Sequence, residues 1–180
     1  MNSVCQENIK NPFTNDKVYG IMYNQRTNPG YLKLREMIKS GKRGNIKRVS
    51  WTITDWYRPQ FYHDSCTWRS TWKTEGGGAL INQNPHQLDL WQWICGMPKK
   101  VYANMKFGQW HDIEVEDDVT CFVEYENGAT GTFITTTGDA CGSNRFEIQM
   151  DKAKLLVEHN QLHVWEFEMT EQEFSKTNKS

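Results

Sequence analysis

The sequence contains no long apolar run, and this absence excludes several classes of protein. None of its hydrophobic stretches approaches the roughly 18 residues that a membrane-spanning helix needs. The start of the chain, from Met1 to Phe13, holds no apolar segment of the kind found in a secretion leader. We therefore expect neither a membrane partner nor a secreted product.

An excess of charge of either sign is also missing. The 180 residues carry 21 lysines and arginines against 22 aspartates and glutamates, for a formal net charge of −1. The charges are interspersed, and the sequence shows no basic stripe of the kind that follows a phosphate backbone. A nucleic-acid partner is therefore not expected.

Paired cysteines are absent as well. The sequence has five cysteines, an odd number, and none of them belongs to a C-x-x-C pair. They are Cys5, Cys66, Cys95, Cys121 and Cys141. This pattern indicates free thiols in a reducing compartment, and we expect the cytoplasm.

No metal site and no phosphate-binding loop are predicted. The side chains that come closest to a metal-binding group lack any recurrent zinc spacing. They are His63, Asp64, Cys66, His86 and Asp89. The three glycines Gly76 to Gly78 match neither G-x-G-x-x-G after a strand nor G-K-[ST]. Because glycine permits close backbone approach, we expect a tight corner there and no cofactor-binding residue in this chain.

What the sequence has in abundance is aromatic residues: eight Trp, seven Tyr and eight Phe. Such side chains favour the half-buried surface of a sheet. Residues 1–16 are polar and are predicted to be a tail or linker. Residues 17–44 are predicted to be a junction segment, with a strand at Val18–Tyr23 and a helix at Tyr31–Lys39. The remainder, 45–180, is of ordinary size for one domain.

The first half of this domain shows one strand, one loop and one helix. Ile46 to Tyr57 is rich in β-branched and aromatic residues, which predicts a strand. Residues 58–75 are predicted to form a long aromatic loop, and loops of that length are usually functional. A helix is predicted over Pro85–Cys95, with Asn84 as its cap and Gln87 completing a capping box.

From Lys100 onward the apolar residues alternate, which predicts strands. The predicted strands are Val101–Phe107, Val119–Glu126, Ala129–Thr137, Arg145–Met150, Lys154–Glu158 and Gln161–Phe167. Asn127-Gly128 is a strong hairpin signal between two of them. The fold class is therefore α+β: an open, mainly antiparallel β-sheet with helices packed on one face.

A sheet covered on one side leaves its other face open. Alternating threonine and aromatic residues make Trp51, Ile53 and Phe133 our candidates for that open face. Large apolar patches rarely stay exposed on monomers. We therefore expect self-association through the sheet face, as a dimer or tetramer.

His86 is the candidate catalytic residue. It falls in the first turn of the predicted helix, where the helix dipole favours a neutral imidazole. A neutral imidazole can accept the proton of a secondary alcohol as that alcohol loses a hydride, and it can return the proton in the reverse direction. A purely structural histidine remains the alternative. Asp89, three residues on, could orient the ring or could pair with a basic residue.

Several segments taken together resemble the C-terminal half of the glucose–fructose oxidoreductase, inositol dehydrogenase and rhizopine-catabolism family. The likeness runs through Trp68-Arg69-Ser70-Thr71-Trp72, Gly76-Gly77-Gly78, Asn82-x-x-x-His86-x-x-Asp89 and Trp93-Ile94-Cys95-Gly96. Tyr23-Asn24-Gln25-Arg26, Glu116-Asp117-Asp118 and the segment from Tyr125 to Gly131 agree in order. The resemblance covers nearly everything from residue 18 to about residue 167.

The resemblance implies a two-domain NAD- or NADP-dependent oxidoreductase with a sugar, inositol or related polyol as substrate. A Rossmann domain, which these residues do not contain, would bind the cofactor and supply a lysine. The substrate would lie between the domains, with His86 as its acid/base. The implied substrate-positioning residues are Asn82, Arg69, Trp68, Asp89 and Arg26, with Trp56 and Trp72 as further stacking surfaces. For Arg26, a structural ion pair at the domain junction is an equal alternative.

The sequence departs from the family pattern in three ways. Asn82 stands where the family has an aspartate, and an amide cannot stabilise a charged His86 as a carboxylate would. Neither a Rossmann fingerprint nor a Glu-Lys-Pro motif occurs in the chain. The chain also stops soon after Phe167, where members usually add a strand or helix, so we expect a truncated domain that is inactive alone. Two alternatives remain: a non-catalytic sugar-binding or assembly module, and NAD-assisted glycoside cleavage.

Overall fold

The computed structural model describes residues 20–178, so the predicted tail over residues 1–16 lies outside it. Val18 and Tyr19 of the predicted junction strand also lie outside the described residues. From Gly20 to Tyr23 the chain has no regular secondary structure. A short 3-10 turn follows over Asn24–Thr27.

Five α-helices follow in chain order. They are α1 Pro29–Lys39, α2 Gln60–Asp64, α3 Ala79–Asn82, α4 Pro85–Cys95 and α5 Glu171–Thr177. Helix α1 begins two residues earlier than predicted, because Pro29 takes the first helical position and the Asn28 side chain accepts a hydrogen bond from the Gly30 N–H. Helix α4 has the predicted bounds.

Seven strands form one sheet. They are β1 Ile46–Ile53, β2 Lys100–Phe107, β3 Glu116–Glu124, β4 Thr130–Thr136, β5 Asn144–Met150, β6 Ala153–Glu158 and β7 Gln161–Glu166. Their order is β2-β3-β4-β1-β5-β6-β7. The β1–β4 pair is parallel and the other five pairs are antiparallel. The predicted α+β fold with an open, mainly antiparallel sheet is confirmed.

The core lies between one face of this sheet and the helices α1 and α4. Trp51 of β1 stacks on Phe146 of β5 with ring centroids 4.1 Å apart. Trp91 of α4 meets Phe133 edge-on at 5.9 Å, and Leu34 of α1 is fully buried in the same cluster. Burial of these large side chains supplies the main favourable term for the fold.

The face predicted to be open was assigned wrongly. Trp51, Ile53 and Phe133 are almost completely buried under the helices. Their neighbours in sequence, such as Thr52 and Thr132, point to the opposite face, because side chains alternate along a strand. The alternation was read correctly, but a period of two does not say which of the two sets the helices will cover.

Two local predictions also need correction. The strand predicted over Ile46–Tyr57 ends at Ile53, and the segment 58–75 is not loop throughout, because it contains α2. Asn84 forms no capping box with Gln87. Instead its side-chain amide donates to the Ala79 carbonyl and to Thr135 Oγ1, at 2.8 and 2.9 Å, which ties α3 to β4.

Among residues 20–178, no helix has both the length and the apolar character that crossing a bilayer requires.

Candidate functional site

Glu116 holds the tight corner at residues 76–80, which leads into α3 and which we call the glycine corner. Its carboxylate oxygens accept hydrogen bonds from the N–H groups of Gly78 and Leu80, at 2.9 and 3.0 Å. A Cβ atom added to Gly78 would lie 2.1 Å from the Glu116 carbonyl oxygen, so the backbones are in close contact. The predicted tight corner is therefore present. The amides of Gly78 and Leu80 are thus occupied by a carboxylate of the same chain, and they are not available to a phosphate.

Asn82 ends α3 with its side chain held by Glu75. The Asn82 Nδ2 amide donates to Glu75 Oε1, and Glu75 Oε2 accepts a hydrogen bond from the Ser70 N–H at 2.5 Å. A carboxylate therefore does lie beside position 82, although the chain supplies it from a preceding loop. No sequence spacing identified Glu75, because loop conformation alone brings it there.

Asn82→Asp is expected to lower the free energy of unfolding by about 1–2 kcal/mol at neutral pH, because it places a second carboxylate against Glu75. The loss should shrink as the pH falls, since protonation of either carboxyl restores a donor. Denaturant unfolding of the variant and the parent chain measures it. The double variant Asn82→Asp/Glu75→Gln exchanges amide and carboxylate and should recover most of the loss. If the double variant were no more stable than Asn82→Asp, direct contact between the side chains at positions 75 and 82 would not be the cause of the loss.

His86 lies at the second position of α4 with a partly buried imidazole. The ring of Tyr23 meets it edge-on, with centroids 5.9 Å apart. Its Nδ1 atom is buried and has no hydrogen-bond partner within residues 20–178. Because buried polar atoms are normally paired, an unpartnered buried imidazole nitrogen is unusual and indicates a role for this ring beyond packing.

Asp89 is paired with Arg26. The guanidinium donates from Nε and Nη2 to the two carboxylate oxygens, at 2.8 and 2.5 Å, and the Asp89 side chain is 7% exposed. The hydrogen bond to Asp89 raises the pKa of Arg26 above its ordinary value. The sequence left ion pairing open as one role for Arg26 and for Asp89, and the structure shows that the two residues pair with each other. Since Arg26 also lies over the ring of Tyr23, the pair helps to hold Tyr23 against His86.

Arg69 belongs to a cationic and aromatic cluster around Tyr62, which we call the Tyr62 cluster. Its guanidinium lies over the Tyr62 and Trp68 rings, 4.3 and 4.8 Å from their centroids. Arg58 lies over the same Tyr62 ring at 5.0 Å and over Trp56 at 5.8 Å. Neither Arg58 nor Tyr62 was singled out from the sequence, although both lie in the aromatic segment that it marked as functional.

Trp72 lies elsewhere. Its ring is 5.8 Å from that of Phe107, which belongs to the edge strand β2, and the Trp72 side chain is half-exposed. Of the three tryptophans proposed as stacking surfaces, two therefore contact the arginines of the Tyr62 cluster and one does not.

A small cavity joins the Tyr62 cluster to the end of α3. Its polar lining includes Tyr62, His63, Ser70, Glu75, Asn82 and Gln83. The cavity has room for about one water molecule. Gln83 Nε2 donates to the Tyr62 hydroxyl at 3.4 Å, so the cluster is connected to the residues that immediately precede α4.

His63 lines this cavity as a buried histidine. Its Nδ1 forms a hydrogen bond of 2.7 Å with the Ser70 hydroxyl, and its ring lies 4.7 Å from that of His111. Burial, reinforced by His111, lowers the pKa of His63 below its ordinary value. His63 is therefore neutral near pH 7. Within residues 20–178, no group of three or more His, Cys, Asp or Glu side chains is arranged to hold a metal ion.

Comparison with known proteins identifies the family. The profile of the GFO/IDH/MocA C-terminal domain matches residues 31–156. The chain belongs to the GFO/IDH/MocA family. A putative oxidoreductase of this kind, YteT from Bacillus subtilis, is 26% identical over 110 residues, which cover 56% of this chain and 25% of YteT.

Two solved structures are similar to this GFO/IDH/MocA domain along most of its length. The WlbA dehydrogenase from Bordetella pertussis, in complex with NADH and UDP-GlcNAcA, is 28% identical with a TM-score of 0.75, covering 82% of this chain and 46% of WlbA. WlbA from Chromobacterium violaceum, in complex with the same two molecules, is 27% identical with a TM-score of 0.79. The match covers 96% of this chain and 49% of that WlbA. The chain thus spans about half the length of these dehydrogenases.

Proposed function

We propose that this GFO/IDH/MocA domain is the substrate-binding half of an NAD(P)-dependent oxidoreductase that acts on a hydroxyl-bearing carbon of a sugar, inositol or related polyol. The observation that carries the proposal is His86: an imidazole at the start of α4 whose buried Nδ1 has no partner among the described residues. The similarity to two dehydrogenases whose structures contain NADH and UDP-GlcNAcA supports it.

In this proposal His86 takes the proton of the substrate hydroxyl during oxidation and returns it during reduction. Its place in the first turn of α4 fixes the ring at the N-terminal end of that helix. The edge-on contact with Tyr23 limits rotation of the ring. The Arg26–Asp89 pair acts through Tyr23 and is a positioning element.

Asn82 and Arg69 are proposed to bind substrate oxygens, and Trp68 to pack on the sugar ring. The amide of Asn82 is oriented by Glu75, which uses Nδ2 and leaves the amide oxygen to accept a hydroxyl. Trp68 is half-exposed beside Arg69, as a stacking wall requires. Asp89 and Arg26 were also candidates for substrate contact, and their mutual pairing favours the positioning role.

The cofactor would be NAD or NADP, held by residues other than these. The glycine corner, the one glycine-rich segment in the chain, has two of its amides bound to Glu116, so it does not fit a pyrophosphate. When bound, the nicotinamide supplies the hydride acceptor. We therefore propose that the chain alone neither binds NAD(P) with micromolar affinity nor oxidises sugars, and calorimetry on the chain tests this directly.

The function is tested by product analysis on the whole protein, with NAD or NADP and a panel of free sugars, polyols and glycosides. Our proposal requires one reduced cofactor for each oxidised sugar. Release of the aglycone without net reduced cofactor would instead indicate NAD-assisted glycoside cleavage. Sugar binding without any nicotinamide binding would indicate a non-catalytic module. The four cysteines among residues 20–178 have no disulfide partners, which fits a reducing compartment, and we propose the cytoplasm.

We also propose that the protein self-associates through the sheet face that α1 and α4 do not cover. That face carries Tyr102 and Phe122, whose rings lie 6.1 Å apart and which are 52% and 39% exposed. Phe122→Lys should therefore shift a dimer or tetramer to monomer in light scattering. The control Phe61→Lys changes an exposed residue of α2 and should leave the mass unchanged. A parent chain that is monomeric at high concentration would contradict the proposal.

A further inference from the structure

The Tyr62 cluster contains two arginines whose charge no carboxylate in the described part of the chain neutralises. Arg58 donates to the Tyr57 carbonyl at 3.2 Å, and Arg69 donates to the Ser65 hydroxyl at 3.0 Å. Neither forms an ion pair within residues 20–178. Three other arginines each bind a carboxylate; they are Arg26, Arg43 and Arg145.

Each guanidinium group of the cluster also has one N–H group without a hydrogen-bond acceptor within residues 20–178. The Nε atoms of Arg58 and Arg69 are buried and have no acceptor among the described residues. An Nε–H group that has lost water without gaining an acceptor is unfavourable, and both cations lie against the same Tyr62 ring. An anion bound by their other N–H groups would neutralise this charge, because guanidinium groups bind carboxylate and phosphate with strong, charge-assisted hydrogen bonds.

The position of the cluster connects it to the proposed sugar site. Tyr62 lines the cavity that also contains Asn82, and its hydroxyl accepts a hydrogen bond from Gln83, three residues before His86. Arg58 lies close enough to His63, another lining residue, for its charge to act on that ring. The cationic pair is therefore adjacent to the substrate end of α4.

We propose that Arg58 and Arg69 bind an anionic group of the substrate, a carboxylate or a phosphate. This inference rests on the proposed function and narrows its substrate class from sugars and polyols in general to acidic sugars. Glu75 and Glu116, the two carboxylates that line the cavity, form no ion pair with either arginine and accept N–H hydrogen bonds from other residues.

Calorimetric titration of the 180-residue chain at low salt tests the proposal, with glucuronate, glucose 6-phosphate and glucose as probes. At least one acidic probe should bind roughly tenfold or more tightly than glucose, and Arg58→Gln or Arg69→Gln should remove that advantage. Arg48→Gln removes the same charge from an exposed position on β1 and should leave it unchanged. The acidic probe that binds more tightly identifies the source of the anion.

Three results would overturn the inference: equal affinity for the acidic probes and glucose, no binding of any probe, or an acid preference that survives both substitutions. The preference of the parent chain is measured without any variant, so a poorly folding variant does not leave the question open. Oxidation of neutral sugars by the whole protein would still support the proposed function, so the two failures are distinguishable.

Discussion

His86→Asn in the whole oxidoreductase is expected to lower turnover by roughly 100- to 10,000-fold, the range for loss of a general acid/base. The fold and the cofactor affinity should remain, because Asn keeps a polar side chain in the first turn of α4 and the cofactor is proposed to be held by residues outside this chain. The loss should be partly relieved at high pH, where hydroxide can take the substrate proton that His86 no longer accepts. Steady-state rates across a pH series measure both effects.

The matched control for this prediction is His159→Asn. His159 lies in the tight turn between β6 and β7 with φ +50°, a conformation that asparagine adopts readily, so no loss of turnover is expected. Asp89→Asn should weaken the anchoring of Tyr23 by Arg26 and lower turnover less than His86→Asn does. If His86→Asn leaves turnover intact while Asp89→Asn abolishes it, the proton acceptor is not His86.

Gly78→Ala is expected to lower the free energy of unfolding by about 3 kcal/mol or more. The added Cβ would lie 2.1 Å from the backbone oxygen of Glu116 and 2.9 Å from Val115 Cγ2. Relief requires β3 and the glycine corner to separate, which breaks the bonds from Gly78 and Leu80 to the Glu116 carboxylate. Denaturant unfolding followed by tryptophan fluorescence measures the loss.

Gly77→Ala is the matched control for Gly78. Its added Cβ would lie 3.2 Å from the side chain of Ile81, an exposed residue that can move, and 3.9 Å from Glu116 Oε1, which is an ordinary contact. We expect a loss below about 1 kcal/mol. If the two variants lost equal free energy of unfolding, the close backbone contact with Glu116 would not explain why position 78 is a glycine.

Much of the fold could be predicted because its signals are local. Proline at the first position and Gly96 after the last fix the bounds of α4. Asn127 and Gly128 form the β3–β4 hairpin, with Gly128 at φ +83°. The parallel β1–β4 pairing could not be predicted, because it joins segments more than 70 residues apart and no turn residue specifies it.

The site was predictable where a motif names a residue, and less so where loops bring residues together. The motif Asn82-x-x-x-His86 names both residues through the family resemblance, and their roles are proposals. The contact of Glu75 with Asn82 and the sharing of Tyr62 by Arg58 and Arg69 depend on how the segment 58–75 folds. The length of that segment marked it as functional, but loop conformation has no periodicity from which contacts can be read.

The most direct test of the proposed chemistry uses a substrate deuterated at its hydroxyl-bearing carbon, with the whole protein and oxidised cofactor. The account predicts that the deuterium appears on the nicotinamide, with the same destination but a much slower rate in His86→Asn. Deuterium that is lost to water, or that remains on the sugar product, would contradict the assignment of this domain to a hydride-transferring sugar oxidoreductase.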